Sequence, residues 1–195
     1  EKCLNSVFNQ TYSNINLIIN YDPCDDNTLK LTTQLLSESP YKYKLIEHNE
    51  KPGLGAARNR MLDAFNGDYL YFLDSDDYIE SNCIEYLVDN AIKYSAEVVI
   101  GSYREVDEEN ENTKEIVFVN KMILNSDELK KFCFVDKGFY PPYSWNKLFS
   151  SSYLENNNIR FRQLSYGEDA FAVFLETEQI NKIVLLPEIT LNYLI

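Results

Sequence analysis

An apolar run, Tyr69-Leu70-Tyr71-Phe72-Leu73, ends abruptly in Asp74-Ser75-Asp76-Asp77. Carboxylates beside a core are costly unless something offsets their charge. At the carboxyl end of a strand in an open α/β sheet, that something is often a ligand or a metal. Three readings follow. Ser75, Asp76 or Asp77 can cap the next helix, which needs one acid or two. A calcium loop would start similarly, but its sixth position demands Gly and holds Ile79. The third reading is a hard-oxygen site for Mg²⁺ or Mn²⁺ that in turn holds phosphate.

The surrounding pattern alternates helix and strand. Helical faces are expected over Glu1–Gln10, Asn27–Ser39 (capped by Asn27), Leu54–Phe65 and Ser81–Tyr94. Strands are expected at Ile15–Asn20, Tyr43–Glu47, Tyr69–Leu73 and Glu97–Ser102. Leu17-Ile18-Ile19 and Val98-Val99-Ile100 are continuously apolar, as strands covered on both faces are. Short strand–helix–strand connections indicate a mostly parallel sheet with helices on its faces. Beyond residue 102 the pattern loosens. Asp107–Glu111 reads as a solvated loop, Asp127–Phe134 as a short helix capped by Ser126, Trp145–Phe149 as a packed strand, Ala170–Thr177 as a helix and Lys182–Leu186 as a last strand. A soft boundary at 102 divides an α/β half, 1–102, from an α+β half, 103–195.

Other segments carry candidate chemistry. In Lys51-Pro52-Gly53-Leu54-Gly55-Ala56-Ala57-Arg58-Asn59, the glycines permit unusual backbone or close approach. Arg58 can offer a planar fork to a phosphate or base. The alternative is a tightly packed strand–helix turn. Asp22 ends a strand, so in a parallel sheet it shares an edge with Asp74; Asp22-Pro23 can equally be a turn. Glu168 or Asp169 can complement a helix start or act as a general base. Trp145 is a packing residue or an apolar wall for a sugar ring.

Charge and composition narrow the field. The 195 residues carry a formal net charge of −13, which argues against nucleic acid as a partner and against direct binding to an anionic membrane. No apolar stretch is long enough to span a bilayer. Cys3, Cys24, Cys83 and Cys133 form no metal-ligand spacing and are expected to be free thiols in a reducing cytoplasm.

Taken in order, Asp22, Gly53-Leu54-Gly55-Ala56-Ala57-Arg58-Asn59, Gly67-Asp68-Tyr69 leading to Leu73-Asp74-Ser75-Asp76-Asp77, Trp145-Asn146-Lys147-Leu148-Phe149 and Gly167-Glu168-Asp169 closely resemble family 2 glycosyltransferases of the GT-A fold. The resemblance implies an α/β, Rossmann-like sheet and an inverting transfer of a sugar from a nucleotide-diphosphate donor, UDP-sugar favoured. The acceptor would be a saccharide or lipid-linked saccharide, as in bacterial surface polysaccharide synthesis. It implies nucleotide contacts at Asp22, Gly53, Arg58, Asp74 and Ser75, a Mn²⁺ or Mg²⁺ ion on Asp76 with Asp74, and a base at Asp169 beside Glu168. It also implies a cytoplasmic location, with peripheral membrane attachment and a homodimer as open alternatives. Two departures shape the expectation. The family opens on a strand that this chain, starting within the following helix, is expected to lack. Pro23-Cys24 replaces the frequent Gly-Ser, and Pro has no backbone donor. A non-catalytic GT-A-like module for sugar or protein is the alternative. A phosphotransferase of the haloacid dehalogenase type is disfavoured by Tyr78, which stands where that motif wants Thr or Val.

Overall fold

A computed structural model describes residues 1–49, 53–107, 113–162, 164, 169 and 178–195. Helix α1 (Lys2–Phe8) leads to strand β1 (Asn16–Tyr21), helix α2 (Thr28–Ser37) and strand β2 (Lys42–Glu47). The two strands pair in parallel, with Leu17 opposite Tyr43 and Ile19 opposite Leu45. Asn27 precedes α2 without a side-chain cap bond. Asp26 serves instead, its Oδ1 accepting the Thr28 N–H at 2.8 Å. Helix α3 (Leu54–Ala64) packs against β1.

A second sheet forms from β3 (Tyr69–Tyr71), β4 (Tyr78–Ile79), β5 (Val98–Val106), β6 (Thr113–Ile116), β7 (Met122–Leu124), β8 (Lys147–Ser150) and β9 (Ile183–Leu194). Its main order is β3-β8-β5-β9-β4, with β6 on β5 and β7 on β9. Helix α4 (Cys83–Tyr94) joins β4 to β5, α5 (Ser126–Lys130) follows β7, and α6 (Ser151–Asn156) follows β8.

The α/β class is as expected, but the sheet is mixed and not mostly parallel. In the larger sheet β5 and β9 are parallel, whereas β3–β8, β8–β5 and β9–β4 are antiparallel. Continuous apolar runs report burial on both faces and are silent on strand direction. Burial itself follows the expectation. Val98 and Ile100 face one core cluster with Phe149, Ile183 and Leu185. Val99 faces the other with Leu148, Val184 and Leu186, beneath Leu87 and Ala91 of α4. This is the two-residue alternation of a covered strand.

Three boundaries differ in the second half. Asn125, not Ser126, caps α5 through a reciprocal capping box with Glu128. Residues Lys131–Val135 continue as one wide π turn. The last strand runs on to Leu194 through Pro187, where its pairing with β5 shifts register. Pro lacks a ladder donor and is tolerated at such irregularities. Ser102 satisfies the irregular backbone there, donating to the Leu186 carbonyl at 2.9 Å and accepting the Phe118 N–H at 2.9 Å. The expected helix 170–177 and most of the acidic loop 107–111 lie outside the described residues.

Candidate active site

Strand β3 ends at Tyr71, and Phe72 makes an isolated bridge to Trp145. The acidic segment is then a tight turn, closed by the Asp77 N–H donating to the Asp74 carbonyl at 3.2 Å. Because α4 starts only at Cys83, the acids do not cap it. The turn divides them instead. Ser75 and Asp76 are exposed, while Asp77 is fully buried.

Asp77 Oδ1 accepts the Leu194 N–H of β9 at 3.0 Å, and its Oδ2 has no hydrogen-bond partner among the described residues. Burial pushes its carboxyl up to about 7, the Leu194 N–H opposes this, and the Asp76 and Asp74 charges add to it. The unfolded chain therefore releases this proton near pH 4, and the folded chain holds it until about 7. Stability tied to Asp77 is present at low pH and is lost as pH rises between those values. The melting-temperature advantage of Asp77→Asn over wild type is expected to grow from pH 5 to pH 8. The gain is roughly 1–3 kcal/mol, at about 2–4 °C for each. A pH-independent difference would sink this assignment.

Helix α3 supplies the cation facing the turn. Gly53 precedes it at φ +91°, a left-handed conformation suited to Gly, and its carbonyl accepts the Ala57 N–H at 3.1 Å. Arg58 is only 1 % exposed. Its guanidinium binds Asp169 Oδ1 through Nη1 and reaches Asp74 Oδ1 through Nη2 at 3.4 Å. It lies over the rings of Phe161 and Phe72, 5.4 and 5.9 Å from their centroids. Ser144 Oγ donates to the same Asp169 oxygen at 2.7 Å. Burial raises the Asp74 carboxyl, Arg58 works against it, and Asp76 and Asp169 add repulsion.

Two residues on, Arg60 serves the other sheet. His48 Nε2 stands 2.7 Å from Arg60 Nη1 and 2.8 Å from Asp22 Oδ1. It can accept from the guanidinium or donate to the carboxylate, but one proton position excludes the other. Asn20 Nδ2 also donates to Asp22 at 2.8 Å. No ion pair or hydrogen bond joins Asp22 to the Asp74 group among the described residues.

The structure thus brings Arg58, Asp74 and Asp169 together, puts Ser75 and Asp76 at the rim of the turn, and leaves Asp22 in its own cluster with His48. Glu168 lies outside the described residues. Sequence reasoning passed over Ser144 and His48. His48 is the single histidine of the chain and directly follows β2, a usable signal; nothing marks Ser144.

No group of three or more His, Cys, Asp or Glu side chains placed for a metal occurs among the described residues. The exposed carboxylate of Asp76 is nevertheless a hard oxygen donor. It borders a cleft of about 380 Å³ shared with Ser75 and Tyr78. Mg²⁺ and similar ions are commonly held by one or two carboxylates plus substrate phosphates and water. That donor set fits here, with Asp74 partly committed to Arg58.

Superposition places this architecture among GT-A folds. The match to the crystal structure of Staphylococcus aureus TarS 1–349 in complex with UDP covers 100% of this chain and 56% of that one, with a TM-score of 0.81 at 20% identity. The chain belongs to glycosyl transferase family 2, whose family model matches residues 1–160. It is 29% identical to Glycosyltransferase GlyA of Streptococcus pneumoniae serotype 4 over 92% of this chain and 26% of that protein. It is 28% identical to the Escherichia coli UDP-Glc:alpha-D-GlcNAc-diphosphoundecaprenol beta-1,3-glucosyltransferase WfgD over 80% of this chain and 64% of that protein. The chain spans between about a quarter and a half of the first three curated relatives it matches. No helix among the described residues is long and apolar enough to cross a membrane.

Proposed function

We propose that this chain is the sugar-transferring portion of an inverting glycosyltransferase, which moves a sugar from a UDP-sugar to a hydroxyl of a saccharide or lipid-linked saccharide during bacterial surface polysaccharide synthesis. The observation that carries the reading is the convergence of three distant motifs on one guanidinium: Arg58 bridges Asp74 of the acidic turn and Asp169. The UDP named in the TarS complex and the UDP-Glc named for WfgD support the donor class. Names of relatives that include diphosphoundecaprenol or PP-undecaprenol support the acceptor class.

In this reading Asp76 holds a Mn²⁺ or Mg²⁺ ion, which when bound offsets charge gathering on the leaving diphosphate. Asp22, Gly53, Arg58, Asp74 and Ser75 form the nucleotide side. Arg58 and Ser144 both engage Asp169 Oδ1, so Oδ2 receives the acceptor proton. The acceptor oxygen forms its bond to the anomeric carbon from the face opposite the diphosphate. The bond to the diphosphate breaks, and that group departs with its electron pair.

Calorimetric titration with UDP tests the reading. Wild type is expected to bind UDP more tightly with Mn²⁺ than without, and Asp76→Ala to lose that difference. Equal affinity with and without the ion removes the metal role; no affinity in either condition removes the donor assignment. The Arg58–Asp169 pairing favours a second reading, a non-catalytic sugar-binding module, since Arg58 and Ser144 already occupy that carboxylate. UDP binding without any release of sugar from UDP-glucose, whatever the acceptor, would select it.

A further inference from the structure

An acceptor hydroxyl can reach Asp169 only if its sugar ring lies beside that carboxylate. The residue holding Asp169 from the second half of the chain is Ser144, and its neighbours in sequence are both aromatic. Tyr143 stacks on Trp145 with centroids 4.9 Å apart and planes at 10°. Trp145 stacks in turn on Tyr193, at 5.1 Å and 11°, and Tyr103 braces it edge-on at 5.0 Å and 89°. The middle ring is buried, at 4 % exposure.

This ladder is anchored next to the acidic turn. Trp145 is bridged to Phe72, two residues before Asp74. Tyr193 adjoins Leu194, whose N–H binds Asp77. The Tyr193 phenol is pushed up by burial first and by the Asp77 charge second, with Asp76 and Asp74 among the further causes. At the other end, Tyr143 is 40 % exposed although one of its faces is covered by Trp145. Pro141-Pro142 precede it and limit the backbone freedom of its approach. A large apolar ring, already fixed and half uncovered, costs little further ordering on binding.

We propose that Tyr143 is the acceptor platform: its uncovered ring face stacks against the C–H face of a neutral pyranose whose hydroxyl is presented to Asp169. The assignment rests on the glycosyltransferase reading above. The electron-rich ring face attracts the slightly positive hydrogens lining one side of such a sugar. Asp169, held by the adjacent Ser144, and the acids of the turn, which act on Tyr193 at the other end of the ladder, disfavour an anionic ring, so a uronic or sialic acid is a poorer stacked unit than a neutral sugar. A nucleobase could also stack on tyrosine, but Tyr143 flanks the residue that holds Asp169, where the attacked bond must lie.

The test uses the chain with UDP and Mn²⁺, and methyl β-D-glucopyranoside as the probe, followed by saturation-transfer NMR. Fluorescence of Trp145, the single tryptophan, reports on the stack. Wild type is expected to transfer saturation chiefly to the axial hydrogens of one sugar face and to change Trp145 emission. Tyr143→Ala is expected to weaken glucoside binding about three- to tenfold. Tyr143→Phe, which keeps the ring, restores it, and methyl β-D-glucuronide binds more weakly than the glucoside. Unchanged glucoside binding in Tyr143→Ala, no glucoside binding by wild type, or a Trp145 response to uridine alone overturns the platform. UDP calorimetry separates the two proposals. A wild type that takes no UDP fails the donor reading. One that binds UDP normally, while Tyr143→Ala leaves glucoside affinity intact, fails the platform alone.

Discussion

Arg58→Ala is expected to destabilise the fold by about 3–5 kcal/mol at pH 7, the range for removing one partner of a buried ion pair. The cost falls unevenly on its two carboxylates. Asp169 has a side chain only 13 % exposed, whereas Asp74 is 31 % exposed and can recover hydration. Most of the loss therefore belongs to the Asp169 pair, with Asp74 contributing the small share of a solvent-screened contact. Loss of the guanidinium's packing over Phe161 and Phe72 adds to it. The sign with pH is also set. Arg58 holds the Asp74 carboxyl down against its burial; without the cation that acid protonates more readily, so the penalty relative to wild type shrinks towards pH 4. Arg58→Lys keeps the charge without the fork and falls between. Urea denaturation at pH 7 and pH 4.5 measures all three proteins; a penalty under about 1 kcal/mol at pH 7, or one that grows in acid, would contradict the buried clamp.

Asp169→Asn is expected to lower turnover by about 10²–10⁴ under the proposed mechanism, the usual contribution of a positioned general base. The asparagine oxygen can still accept from Arg58 and Ser144, so geometry is retained while the proton acceptor is lost. Some stability goes with the charge, about 1–3 kcal/mol for a guanidinium deprived of one ionic partner. Rates are therefore to be normalised by UDP binding, which should stay near wild type. Sugar transfer from UDP-glucose at an unchanged rate per UDP site would remove Asp169 as the base.

The acidic turn, the Gly53–Arg58 helix start and most strands could be read from residue order alone, because each is a local pattern. Their partners could not. Nothing in Asp74-Ser75-Asp76-Asp77 says which carboxylate turns inward, since that depends on an N–H supplied by Leu194. Residue order marks Arg58 as a fork for phosphate or base, but it does not show that the same guanidinium also holds two carboxylates, one of them 111 residues away. Strand direction was misjudged for a related reason. Val98-Val99-Ile100 and Leu148-Phe149 read as buried whichever way the chain runs, and β8 enters antiparallel between β3 and β5. The cap of α5 shows the limit at its smallest: Asn125 and Ser126 are both good cap formers, and the Glu128 three residues after Asn125 decides between them.

The bond from Leu194 to Asp77 spans 117 residues, which gives the site a place in time as well as in space. Strand β9 must lie along β5 before that N–H meets the buried carboxyl. A chain emerging from the ribosome in order can therefore build β1, β2 and α3 long before the acidic turn acquires its final anchor. Long-range pairing of this kind slows folding because loop closure precedes its reward, and nascent chains expose such unfinished edges. The β1–β2 sheet and α3 would be shaped early and the acidic turn locked late, so a polypeptide released before Leu194 would carry the motif without its anchor.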